Sequence, residues 1–228
     1  MELVIGLDAD DTLWHNERYF AHTQAQFASL LAPFVEDPSG LTDRLDRIER
    51  ANLAVYGYGI KSFTLSMVET ALTVTEGRVS SSVISTLLEW GKEMLAHPVE
   101  LLDGVLDTVT ALADRYHLMV ITKGDLIHQE TKVAASPIAE LMWRVEVVSE
   151  KDEITYERVL RRNGVAPDRF VMVGNSVRSD ILPVIAIGGR AVHIPYEITW
   201  GHEHIDDADG FPVLDDIRQL PALLDALG

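Results

Sequence analysis

Chemistry first becomes conceivable in this chain at Asp8-Ala9-Asp10-Asp11-Thr12-Leu13-Trp14, which follows directly on the apolar run Leu3-Val4-Ile5-Gly6-Leu7. An apolar run that stops at a cluster of acids reads as a buried strand delivering carboxylates to its carboxyl end. In an open α/β sheet that end is where ligands bind. Side chains alternate along extended backbone, so Asp8 and Asp10 project to one side while Asp11 leans away. Two carboxylates about 4 Å apart repel by roughly 4 kcal/mol at an effective dielectric of 20, which calls for a compensating cation. A hard, oxygen-preferring ion such as Mg²⁺ suits that place. The competing reading is an acidic loop in which Asp11 or Thr12 caps the next helix.

Three more polar clusters follow apolar runs in the same way: Thr122-Lys123 after 118–121, Lys151 after 145–148, and Asn175-Ser176, with Asp180 beyond, after 170–173. If each run is a strand of one parallel sheet, all four clusters face one edge of it. His202-Glu203-His204 has a superficial likeness to a metal site, but it lacks the helical spacing of a zinc motif and has no evident third ligand. Arg161-Arg162 and Asp206-Asp207 read as solvated surface charge, and Pro195-Tyr196 with Trp200 as packing for an irregular tail.

The elements that must position these residues are of two kinds. From Trp14 to His97-Pro98 the pattern is helical throughout, with stripes at Phe20/Phe27/Leu31/Phe34, Leu41/Leu45/Ile48/Asn52, Leu65/Val68/Leu72 and Val83/Leu87/Met94. Four amphipathic helices without a strand between them predict a small bundle over 16–97. Tyr56-Gly57-Tyr58-Gly59-Ile60-Lys61 interrupts it as a glycine-bearing loop. From about residue 100 helices alternate with strands at 118–121, 145–148, 170–173 and 191–194, a grammar that specifies a parallel sheet with right-handed crossovers. A helix over 181–187 is expected to stop at Gly188-Gly189. The first strand belongs with this part. The expected fold class is therefore α/β, with a Rossmann-like core over 1–15 and 98–228 and a four-helix insertion between its first strand and the rest.

Composition narrows the partners. Among 228 residues, 47% are apolar and 24% charged, as in ordinary globular proteins with a sizeable core. A formal charge of −17 argues against nucleic acid or an anionic membrane as partner, so an anionic substrate must be drawn in by a local metal or lysine. No apolar window approaches a membrane span, and Met1-Glu2 runs straight into the first strand, so neither a span nor a signal peptide is expected. The absence of cysteine removes disulfides, thiolate metal sites and a Cys nucleophile, and it fits a cytoplasmic protein.

The four clusters, in this order, resemble the haloacid dehalogenase-like superfamily, whose pattern is Asp-x-Asp-x-Thr, then Ser/Thr, then Lys, then an acidic pair. The resemblance runs the length of the chain, and the helical insertion sits where that family carries its first type of cap. It implies a Mg²⁺-dependent phosphatase acting on a small phosphorylated metabolite. In that scheme Asp8 attacks the phosphoryl group and forms an aspartyl-phosphate, and Asp10 protonates the leaving alcohol and later activates water. Thr122 holds a phosphate oxygen, and Lys151 neutralises the phosphate and Asp8. Mg²⁺ is bound by Asp8, the main-chain carbonyl of Asp10 and the fourth cluster, Asn175 and Asp180. As a lid, the insertion would present Tyr58, Ile60 and Lys61 to the rest of the substrate.

Two departures from the family pattern stand out. Its fourth motif usually begins Gly-Asp, whereas here it reads Gly174-Asn175-Ser176-Val177-Arg178-Ser179-Asp180, one negative charge fewer. Weaker Mg²⁺ binding, or a larger share for Asp180, is the expected consequence. Lys123 stands where many relatives have Asn or Ser; it either faces the pocket and favours a second acidic group on the substrate, or lies in solvent. Rival functions are a phosphomutase using the same residues, a 2-haloacid dehalogenase, disfavoured because those relatives lack the second Asp, and a non-catalytic binding protein with a degraded metal motif.

Overall fold

The computed structural model describes residues 3–198, 200 and 209–227; His202-Glu203-His204 and Asp206-Asp207 lie outside the described residues. The chain divides into two compact units, Met1–Glu17 with Val99–Gly228, and Arg18–Pro98. After strand β1 (Val4–Leu7) come helices α1 (Glu17–Leu31), α2 (Leu41–Tyr56), α3 (Ile60–Val74) and α4 (Ser81–Ala96). Then α5 (Val105–Ala113) leads to β2 (His117–Lys123), α6 (Leu126–Ala135) to β3 (Arg144–Val148), α7 (Glu153–Arg162) to β4 (Phe170–Gly174) and α8 (Leu182–Ala186) to β5 (Arg190–His193), with α9 (Leu220–Leu227) after them.

The five strands form one parallel sheet in the order β3-β2-β1-β4-β5. All four residues of β1 are buried, as a central strand flanked on both edges requires. Alternation splits the strands between two apolar layers. Ile5, Leu7, Leu118, Val120, Val171 and Val173 pack with α5, Val133 of α6, and α9. Val4, Met119, Ile121, Phe170 and Met172 pack with Tyr156, Val159 and Leu160 of α7 and Val184 of α8. Gly6 is dictated by this second layer: a Cβ there would lie 2.4 Å from the Phe170 ring. Leu7 pairs with both Val120 and Val173, so the residues just beyond these strands emerge together at one edge. No helix among the described residues is long and apolar enough to cross a membrane.

The helical unit has its own core, with Phe27 and Leu31 of α1, Leu41 and Leu45 of α2, Ile60, Phe63, Met67 and Ala71 of α3, and Val83, Leu87 and Met94 of α4. Two stripes differ from expectation. Phe34 is exposed in a 3-10 turn that contains Pro33, past the end of α1. In α3 the expected Leu65 and Leu72 are 44% and 43% exposed, and the buried stripe is rotated to Ile60, Phe63 and Met67. The physical reason lies in the hydroxyls on that face. Thr64, Ser66 and Thr70 each donate to the carbonyl four residues back, at 2.7, 2.9 and 2.7 Å, so most of the hydroxyls on a face that reads as polar are satisfied when it buries, the Ser62 hydroxyl being the exception. The expected helix over 181–187 starts earlier, as a wide π turn (Val177–Ile181) continuing into α8. It stops as expected at Gly188, in the left-handed region at φ 85°. Arg162 is more than solvated charge, because with Asn163 it holds the buried carboxylate of Glu146.

Candidate active site

Beyond β1 the chain stays paired for one more residue, the Asp8 amide donating to Val173 at 2.9 Å. It then turns tightly, with Leu13 N donating to Ala9 O at 2.8 Å and Asp11 N to Trp14 O at 2.7 Å. Asp11 takes a left-handed conformation at φ 64°, which aims its carboxylate at the amides of Asn16 and Glu17, 2.9 and 3.0 Å away. The helix-capping reading therefore holds for Asp11 alone, at the start of α1. Burial, reinforced by Asp10, pushes its carboxyl up to about 7.

Asp8 and Asp10 are held by separate lysines. Lys151 lies just after β3, fixed by Asp152, which caps α7 by accepting from Thr155 N at 2.8 Å. From there the Lys151 ammonium, 5% exposed, donates to Asp8 Oδ1 and, at 2.7 Å, to Asp180 Oδ1. Asp180 Oδ2 accepts from Ser176 N at 3.0 Å, so both its oxygens are taken by protein donors and the residue is fully buried. Gly174 makes room for it: a Cβ there would lie 2.2 Å from Asp180 Oδ2. Burial alone would lower the Lys151 ammonium, but Asp180 and Asp8 outweigh it and hold it charged well above its usual range. Burial pushes the Asp8 carboxyl up to about 7 against the pull of Lys151, with Asp180 adding to the rise.

Asp10 is ringed by donors that sequence reasoning did not single out. Trp14 Nε1 donates to Oδ1 at 2.6 Å, Lys132 Nζ to the same oxygen, and Gln129 Nε2 to Oδ2 at 2.8 Å. Burial would raise this carboxyl, but Lys132 and then the Gln129 and Trp14 hydrogen bonds outweigh it and keep it below its ordinary range. The one signal in the sequence was spacing. Gln129 falls four residues before Val133 and so on the buried face of α6, and a polar residue there asks for a partner.

Among the other expected residues, Thr122 is buried at the end of β2 and its hydroxyl has no hydrogen-bond partner. An oxyanion would satisfy it. The Lys123 side chain, 13% exposed, is not in solvent; it reaches Ser179 Oγ at 3.2 Å and Glu150 at 3.4 Å, which corrects the solvent alternative. Asn175 does lie beside the nucleophile candidate, since the Thr12 hydroxyl is 3.2 Å from Asp8 Oδ2 and 3.4 Å from Asn175 Oδ1. His193 Nε2 steadies this loop by donating to the Asn175 carbonyl at 3.0 Å. Tyr196, expected as packing, hydrogen-bonds His15 at 2.6 Å. In the helical unit, Tyr58 is half-buried between α2 and α3, and Lys61 is exposed in the first turn of α3. Ile60 is 4% exposed within that unit's own core, so it is not available to a ligand.

Whether these residues suit a divalent cation can be judged from their donors. No group of three His, Asp or Glu side chains placed to hold a metal occurs among the described residues. Asp8 and Asn175, on either side of the Thr12 hydroxyl, supply one anionic and one neutral oxygen, and the Asp10 carbonyl is a third of the hard type Mg²⁺ prefers. That set fits, with a low charge. Asp180, expected to share the metal, lies one lysine away from Asp8: the Lys151 ammonium binds Asp180 Oδ1 at 2.7 Å as well as Asp8 Oδ1, and Ser176 N donates to Asp180 Oδ2 at 3.0 Å.

Comparison with known proteins follows the same lines. The model of the haloacid dehalogenase-like hydrolases matches residues 3–188. A crystal structure of a haloacid dehalogenase-like family hydrolase from Xanthomonas campestris is 42% identical, with a TM-score of 0.89, covering 99% of this chain and 91% of that one. A 2-haloacid dehalogenase from Pseudomonas syringae pv. tomato shares the fold at 23% identity and a TM-score of 0.67, over 100% of both chains. A glyceraldehyde 3-phosphate phosphatase from Methanothermobacter thermautotrophicus is 36% identical over 116 residues, 48% of this chain, and the match spans about half (51%) of that relative's length. With its four strand-end clusters gathered at one sheet edge and a family match over most of its length, the chain belongs to the haloacid dehalogenase-like hydrolases.

Proposed function

We propose that this hydrolase is a Mg²⁺-dependent phosphatase of a small phosphorylated metabolite, working through an aspartyl-phosphate on Asp8. The observation that carries the reading is a buried carboxylate clasped by Lys151, at the same sheet edge as the unpartnered hydroxyl of Thr122. Lys151 and Thr122 are suited to receive phosphoryl oxygens, so a dianion is bound locally despite a net charge of −17. An Asp8 oxygen then attacks phosphorus as the bond to the leaving oxygen breaks; Asp10, ionised in the free protein, takes up a proton from solvent as the dianion binds and delivers it to that oxygen. Asp10, again ionised, takes a proton from water as the water oxygen attacks the phosphorus, releasing inorganic phosphate and free Asp8. Held by Asp8, the Asp10 carbonyl and the fourth cluster, Asn175 and Asp180, Mg²⁺ would offset charge on the phosphoryl oxygens and orient them. Tyr58 and Lys61 remain the proposed specificity contributors from the helical unit.

The phosphatase named among the relatives acts, by that name, on a three-carbon phosphate, which supports a small substrate. A dehalogenase needs the nucleophile alone, so three donors spent on holding Asp10 favour phosphoryl transfer. The test is a screen of phosphorylated metabolites with and without Mg²⁺, run beside Asp8→Asn. Wild type should release phosphate from at least one small phosphate ester, only with the metal, and the amide variant should be inactive yet folded. Retained turnover in a clean Asp8→Asn preparation would remove the assignment, and isomerised product without free phosphate would mark a mutase.

A further inference from the structure

We propose that Lys132, with Gln129, is a positioning pair that fixes the Asp10 carboxylate for both proton transfers and keeps it off the nucleophile's lysine; the inference rests on the phosphatase reading. Both residues lie on α6, three apart and therefore on one helix face. Lys132 is 9% exposed and Gln129 3%, and together with Trp14 they bind both oxygens of Asp10. Each is itself anchored. Lys132 also reaches Asn16 Oδ1 at 3.2 Å and lies 5.7 Å from the Trp14 ring centroid, while Gln129 Nε2 also donates to the Lys123 carbonyl at 3.0 Å. The carboxylate is thus confined to one rotamer.

Stability alone does not account for a buried lysine at this place. Burying an ion pair costs several kcal/mol per ion in desolvation, and a well-packed apolar pair of similar size is often as stable or more so. What the pair achieves is separation. Asp8 and Asp10 stand two residues apart, and a single ammonium between them would draw both. With Lys151 on Asp8 and Lys132 on Asp10, the nucleophile and the proton carrier keep distinct places.

The experiment is a double-mutant cycle on the full chain at saturating Mg²⁺, using p-nitrophenyl phosphate and the poorer leaving group phenyl phosphate. Lys132→Met keeps the length and apolar stem of the side chain. It should lower kcat by on the order of 10²-fold, more for phenyl phosphate, with KM changed by less than about threefold. In an Asp10→Asn background the same change should cost less than about threefold, because the group that Lys132 positions no longer transfers a proton. Gln129→Leu should show the same non-additivity at smaller amplitude, and it serves as the test if Lys132→Met does not fold. Equal losses with and without Asp10, or a loss confined to KM, would overturn the proposal while leaving the phosphatase reading intact. A wild-type protein with no phosphate-ester hydrolysis would overturn both.

Discussion

Glu49 of α2 carries a charge in the wrong place for stability. It is 8% exposed, its Oε2 has no hydrogen-bond partner, and burial, reinforced by Asp46 and eased by Arg50, pushes its carboxyl from 4.5 up to about 7. The unfolded chain releases this proton near 4.5 while the folded one keeps it to about 7. Stability therefore falls as pH rises through that window, and the loss is complete above it. At about 1.4 kcal/mol per tenfold displacement the loss is at most about 3 kcal/mol at pH 8 and about 0.8 kcal/mol at pH 5. Glu49→Gln removes the charge at nearly constant volume and leaves the Asp46–Arg50 pair, at 2.8 Å, in place. Thermal unfolding should thus move up by roughly 5–10 °C at pH 8 and by no more than about 3 °C at pH 5. An unchanged or lowered midpoint at pH 8, or the same rise at both pH values, would refute the reasoning.

Two further predictions concern the fourth cluster. Gly174→Ala places a Cβ 2.2 Å from Asp180 Oδ2. The acid must move and release Lys151, so kcat should fall by on the order of 10²-fold with a stability cost of about 1–3 kcal/mol; steady-state kinetics and unfolding check this, and a folded variant with wild-type kcat contradicts it. Asn175→Asp restores a negative oxygen beside Asp8, so the Mg²⁺ concentration for half-maximal activity should drop at fixed ionic strength. No drop in a folded variant would take Asn175 out of the metal's ligands.

The order of elements was already decided by local pattern, because apolar runs with period two and stripes near period 3.6 are properties of neighbouring residues. That is why the parallel sheet, the four helices between its first two strands, and Asp8, Thr122, Lys151 and Asn175 at strand ends could be read from the chain. Where one helix offered two apolar stripes, as in α3, the choice fell to packing and to hydroxyls satisfied by their own backbone. Charge compensation was likewise undecidable from spacing. The acid cluster demanded a cation, and the sequence pointed to a metal and, through the family resemblance, to Lys151, but gave no sign of Lys132. The fold supplies Lys151 and Lys132, which lie 143 and 122 residues from the acids they hold. Asp180 could be placed in its cluster from the sequence, whereas only the tertiary structure determines that Lys151 and the Ser176 amide reach its two oxygens. A strand end fixes which edge of a sheet a residue reaches. Which long-range partner meets it there is decided by how distant helices pack.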